Sequence, residues 1–358
     1  MLNKSQDQQV SSGGIAAQGG RDVNIEVTNV GLNYLEVKEV AKDVALNVFR
    51  ENFPKLQGEA MKLASARGEA ITEDFFLKLQ KENPDGLYQA NSPDFQDALF
   101  TVQKEHAKAG DEDLGSLLVD LLVDRTKETS RSTLQIVLNE SLHVAPKLTS
   151  MHLAVLAVVF FFRYTRNPDI GNFNLLAQYL SNHMETFSDL LPKNEGAFQH
   201  LQFTGCGSTS MGSISLENIF RLNFGGLFNK GFEENRLLEL PITLLGSNRN
   251  FFVPCINDLS KLQVRSVDLD SLKNHLIVNS VSNEDQQKME QLFQENMMSD
   301  NEIKEKIVSE SPFMESIFSA WSSTKLQNFE LTSVGIAIGH ANIKRLKGEF
   351  SNLSIWIN

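Results

Sequence analysis

Cys206 and His200 are the residues whose types and spacing come nearest to chemistry, in the segment HLQFTGC. A thiol becomes a nucleophile when a base stands within hydrogen-bond reach of it. Gly205 and Gly207 flank the cysteine, and FTGCGSTSMG reads as a loop, which would leave the thiol accessible. A plain structural turn explains the same pattern, so Cys206 and His200 are weak catalytic candidates. No metal is expected, because zinc takes four ligands and no further cysteine or histidine lies close to this pair. No cofactor is expected either: neither G-x-x-x-x-G-K-[ST] nor a G-x-G-x-x-G following a strand occurs.

The remaining titratable groups suggest surface roles. Asp120 and Asp124, with Arg125 beside them, place two acids on one helix face and read as an exposed ion-pair face. Asp111, Glu112 and Asp113 read as a solvated helix start, and His143 and His152 as hydrogen-bonders at helix ends. Lys325, Lys344, Arg345 and Lys347 form a local basic cluster near the C-terminus, where Lys344, Arg345 and Lys347 are candidate binding residues. A DNA reader needs a recognition helix with polar tips. The segment LTSVGIAIGHANIKRL is instead apolar over most of its length, and Gly335 and Gly339 predict close packing.

The elements that must position these residues are mostly helices. The chain has 358 residues, 41% of them hydrophobic, enough for a sizeable core. Its formal charge of -12 opposes broad binding to nucleic acid or anionic membrane. The longest apolar run, LAVLAVVFFF, is closed by Arg163 and Arg166 and is shorter than the roughly 20 residues of a membrane span. It reads as a central buried helix started by Thr149. The polar start MLNKSQDQQ predicts no secretory signal, and two cysteines make no disulfide framework. A cytoplasmic location with no membrane partner follows as the expectation.

Along the chain, residues 1–30 read as a flexible glycine-rich arm bearing a short strand, where Val23, Ile25 and Val27 alternate with polar residues. These three are candidate binding residues. Helical periodicity then runs through residues 31–238, with Thr72 capping one segment, Ser92-Pro93-Asp94 starting another and Gly110 ending it. Residues 239–358 read as a mixed α/β subdomain, with strands near 239–246 and 353–357. The fold class is therefore mainly α: a multi-helix bundle with a flexible N-terminal arm and a small α+β C-terminal segment.

Two resemblances add context. The stretch LGSLLVDLLVDRTKETSRSTLQIVLNESLHVAPKLTSMHLAVLAVVF resembles the core of the abortive-infection alpha family, with Leu148-Thr149-Ser150 at the start of its apolar helix. It departs from that family at Val119-Asp120-Leu121, where an alanine–serine step is usual. The segments AAQGGRDVNIEV, HLQFTGCGS and LTSVGIAIGHANIKRLKGEFSNLSIWI together resemble an uncharacterised bacterial family of the LPO/Vpar type, which implies accessory genes and transfers no activity. The resemblances imply a non-enzymatic component of bacterial defence that binds a host or phage protein or assembles with itself. The alternatives are a cryptic enzyme using the Cys206 loop and a DNA-binding regulator acting through the C-terminal basic edge.

Overall fold

The computed structural model describes residues 36, 38, 39, 41, 43, 58–240, 242, 250–348 and 350–358. The expected arm strand at Val23, Ile25 and Val27 lies outside the described residues. So do most of the first expected helix and, apart from Glu239, Leu240 and Ile242, the expected strand at 239–246.

The described residues are mainly α. Helix α1 (Glu59–Glu82) is unbroken at Thr72, which was expected to cap a new segment. Its apolar stripe of Ala64, Ile71, Phe75, Phe76 and Leu79 continues past that point. The Thr72 hydroxyl donates instead to the Gly68 carbonyl one turn back at 2.6 Å, which satisfies it inside a helix. Helix α2 (Pro93–Ala109) begins with Ser92 at its cap and Pro93 at its first position, and stops at Gly110 in the left-handed region at φ 62°. Helix α3 (Glu112–Arg125) is capped by Asp111, whose carboxylate accepts from the Leu114 N–H, and α4 (Thr133–Val144) by Ser132. Helix α5 (Ser150–Tyr164) opens with a reciprocal cap between Thr149 and His152.

Helix α6 (Phe173–Met184) runs on as a 3-10 turn to Leu190, just before Pro192. Then come α7 (Gly196–Phe203), β1 (Gly207–Thr209) and α8 (Leu216–Phe224). A hairpin of β2 (Phe252–Pro254) and β3 (Leu262–Val264) leads into α9 (Leu269–Val278) and α10 (Asn283–Gln294). The chain closes with α11 (Asp300–Glu310), α12 (Met314–Ser323), β4 (Phe329–Leu331) and α13 (Ser333–Lys347). The expected strand at 353–357 is instead a 3-10 turn, Leu353–Ile355, which pairs with no strand among the described residues. Strand β4 pairs antiparallel with β1 instead, so part of the glycine-rich segment read as loop is strand.

The run from Leu153 to Phe162 is buried at every position, so this stretch of α5 has no solvent face and must lie in the middle of the bundle. Helix α13 packs along it and against α3 and α4. Residues from Ile303 to Ile357 therefore share one hydrophobic core with residues before 229. The expected division at 238/239 does not follow this packing. A smaller second cluster joins Phe232, Phe252, Leu272, Leu276, Met289 and Phe293 around the β2–β3 hairpin.

Two glycines allow α13 to sit this close. A Cβ at Gly335 would lie 1.9 Å from the Cys206 carbonyl oxygen, and one at Gly339 would lie 2.7 Å from that of Leu156. Both obstacles are backbone and cannot swing aside. Gly335→Ala is expected to cost about 1–3 kcal/mol of stability by overpacking. Gly171→Ala, with open space around its Cβ, is expected to stay within about 0.5 kcal/mol of the native protein. Urea unfolding of both variants checks this, and equal midpoints would contradict the close-approach argument.

Candidate ligand-binding cleft

Neither sequence candidate for chemistry forms a site of its own. Cys206 is fully buried, and burial pushes its thiol pKa up, which disfavours the nucleophilic thiolate. Its sulfur takes a 3.5 Å contact from the Thr204 hydroxyl. His200 faces elsewhere: its Nε2 meets the Lys147 carbonyl at 2.8 Å, and its ring stacks on His152 with centroids 4.7 Å apart. The structure does not bring the pair together, because the turn after α7 folds the cysteine under β4 and α13. Its backbone N–H bonds to the Leu201 carbonyl, and its own carbonyl accepts from the Thr332 N–H.

The basic edge is likewise spent internally. Lys344 is buried and donates to Glu82 and Asp124, each at 2.9 Å. Asp124 and Asp120, expected on an exposed face, are buried as well, since α3 is enclosed on all sides. Lys78 reaches Asp120 Oδ1 at 2.5 Å, while Oδ2 has no partner among the described residues. Burial raises the Asp120 pKa against the pull of Lys78. Burial alone would raise Asp124 too, but Lys344 and Lys127 outweigh it and hold that carboxyl below the usual range. Arg345 pairs with Asp113 at 2.5 Å, and Lys325 with Glu195 at 3.3 Å. Lys347 is half-buried at the end of α13. Lys344, Arg345 and Lys325 are thus paired within the chain and do not form a free basic edge.

The concave feature that the sequence reading did not find lies where α5 ends. A cleft of about 980 Å³ opens between the end of α5, α6, the second half of α8 with the segment before it, and the C-terminal tail. That volume is in the range of small-molecule sites. Tyr164 is its hub. The Tyr164 hydroxyl accepts from the Leu331 N–H at 2.9 Å, and its carbonyl accepts from the Trp356 indole at 2.6 Å. Arg163 donates to the Phe329 carbonyl at 2.7 Å and lies 3.7 Å from the Glu330 carboxylate. The last turn of α5 is thereby tied both to β4 and to the tail. Trp321 donates to the Ile214 carbonyl at 2.8 Å and fixes the opposite lip.

Aromatic rings line one wall continuously. Tyr179 and His183 stand one helical turn apart on α6, with ring centroids 4.8 Å apart. His183 meets Phe350 edge-on at 5.9 Å, and Phe350 stacks on Trp356 at 6.2 Å. His183 Nδ1 lies 2.8 Å from the Tyr179 carbonyl. Only a donor can bond a carbonyl, so Nδ1 carries the proton and Nε2 of the neutral ring is an acceptor. Burial lowers the His183 pKa and favours that neutral form; burial also raises that of Tyr179. Asn167, Asn223, Ser213 and Ser351 supply neutral polar groups around the opening, with Arg166 at the edge, ion-paired to Asp270 at 2.8 Å. The i, i+4 spacing of Tyr179 and His183 was the one local signal in the sequence. The tail aromatics gave none, because only the fold brings them to α6.

Among the described residues no cluster of three or more histidine, cysteine or acidic side chains could hold a metal ion, and no helix is long and apolar enough to cross a membrane. A family model described only as ":-like" matches residues 31–357, and the chain belongs to that family. The match spans most of the chain and does not confirm the abortive-infection resemblance. No curated protein and no solved structure matches the chain.

The histidines give a pH dependence. Burial holds His152, His183 and His340 below the ordinary value of 6.5. The unfolded chain then binds more protons than the folded one as pH falls through 6.5, so this stability is complete above that pH and lost below it. His340 is the most enclosed of the three, and its share has a limiting slope of about 1.4 kcal/mol per pH unit. Urea unfolding between pH 8 and 5 is expected to show falling stability, with a shallower slope in His340→Gln. A slope unchanged by that substitution would show that His340 is not held neutral by the fold.

Proposed function

We propose that this protein is a binding component of bacterial defence that works by capturing a ligand in the cleft at the end of α5. The single observation that supports a binding role is the cleft itself: about 980 Å³, walled by aromatic rings and fixed in shape by the hydrogen bonds that Tyr164 accepts from Leu331 and Trp356 and that Arg163 donates to Phe329. Aromatic walls with a few placed polar groups suit recognition of a ligand. The defence context rests on the resemblance of residues 114–160 to the abortive-infection alpha family. Capture by the helical body, with residues 1–30 acting in assembly or in contact with a host or phage protein, is the form of the reading that joins these observations.

The cryptic-enzyme alternative gains no support from the buried Cys206 and its separation from His200. The DNA-binding alternative is not favoured by a basic cluster whose Lys344, Arg345 and Lys325 are ion-paired within the chain.

Leu222 and Ile355 line the cleft and are 53% and 63% exposed, so charged replacements there obstruct it without entering the core. Cells carrying the gene are expected to show reduced plaque formation by at least one phage of a broad panel. Leu222→Glu and Ile355→Glu are expected to reduce that protection by about tenfold or more, as a loss of about tenfold or more in ligand affinity would leave the cleft largely empty. Full protection by both variants, at equal protein level, would refute the role of the cleft.

A further inference from the structure

Resting on the reading that the cleft captures a ligand, we propose that its ligand is a planar nitrogen heterocycle of the nucleobase kind, stacked on the aromatic wall and donating an N–H to His183 Nε2. Three observations point to this class. First, Tyr179, His183, Phe350 and Trp356 form a run of ring contacts along one side of the cleft. Such a wall offers π faces to a flat ring and accepts any base, since every base has a face to stack.

Second, the hydrogen-bonding groups match the edge of a base. With Nδ1 committed to the Tyr179 carbonyl, Nε2 is left as an acceptor that no hydrogen bond reaches among the described residues. The amides of Asn167 and Asn223 carry both donors and acceptors, and Ser213 and Ser351 add hydroxyls. A purely aliphatic or lipid-like ligand would leave these groups desolvated and unpaired, which is costly.

Third, the charges around the cleft are already balanced. Arg163 is engaged by the Phe329 carbonyl and Glu330, and Arg166 by Asp270. Neither guanidinium is held open for a phosphate, and the Glu330 carboxylate lines the same cleft. Recognition therefore falls on the base, and a phosphate adds little. A nucleoside and its 5′-monophosphate should bind alike.

The test is isothermal titration calorimetry of the full chain with adenosine, guanosine, cytidine and uridine, with their 5′-monophosphates, and with N-acetyltryptophanamide as a flat aromatic that is not a base. At least one nucleoside is expected to bind saturably, with its monophosphate within about threefold in Kd. His183→Phe keeps a ring in the wall and removes the acceptor, and is expected to weaken binding about tenfold. Ile355→Glu, on the exposed rim, provides a second variant that should weaken the same binding. The proposal is overturned if no nucleoside binds up to about 5 mM, if N-acetyltryptophanamide binds as tightly as the best nucleoside, or if both variants bind as well as the native protein. If nucleosides fail while Ile355→Glu still abolishes phage protection, the base assignment falls and the binding role stands. If Leu222→Glu and Ile355→Glu both leave protection intact, the binding role itself falls.

Discussion

The close approach of α13 to α5 is the constraint on which the rest of the structure depends. Helix α5 is apolar all round and can be covered only by other helices. Helix α13 covers it at a separation that permits no side chain at Gly339, while Gly335 sits as tightly against the Cys206 backbone. Asn342 then donates to the Leu153 carbonyl at 3.2 Å, a polar contact inside an otherwise apolar seam. One turn from the end of α13, Lys344 enters the group formed by Glu82, Asp120 and Asp124, so the last helix is fastened to α1 and α3 as well. Burying such charges is expensive, and the arrangement holds because partners face each other directly. Breaking it from one side would strand an unpaired charge.

The cleft is a consequence of this seam. Because α13 lies on α5, β4 just before it is brought across the end of α5, where Tyr164 and Arg163 meet its backbone. Because α13 then ends at Gly348 with φ 87°, the chain turns back and lays Phe350 and Trp356 over the same end. Phe160 touches both of these rings and also His340 of α13, so the aromatic wall is continuous with the core beneath it. The site is thus made by elements nearly two hundred positions apart in the chain, held by hydrogen bonds such as that from the Trp356 indole to the Tyr164 carbonyl.

That long separation explains what the sequence could and could not reveal. Local signals were legible: Ser92-Pro93, Asp111, Thr149 and Gly110 all stand where helices begin or end. Gly335 and Gly339 signalled close packing, and the structure names the carbonyls they meet. Thr72 misled because a β-branched residue with acids after it resembles a cap, whereas its hydroxyl can equally bond back along a continuing helix. Asp120, Asp124 and Lys344 misled for a related reason. Charged residues usually mark a surface, and these pair across three helices in a way that no local pattern encodes. Arg163 and Arg166 were noticed as the end of an apolar run, but their place beside a cleft depended on a tail that reads as an unremarkable SIWIN.

The central claim, that α13 and α5 form one cooperative unit on which the cleft is built, is most directly tested by native-state hydrogen exchange. The amides of Val155 to Val159 in α5 and of Ile338 to Ile343 in α13 should exchange only through global unfolding, with the same opening free energy and the same denaturant dependence. If α13 instead opened at much lower free energy while α5 stayed protected, it would be an appendage to the bundle, and the cleft could not owe its shape to their packing.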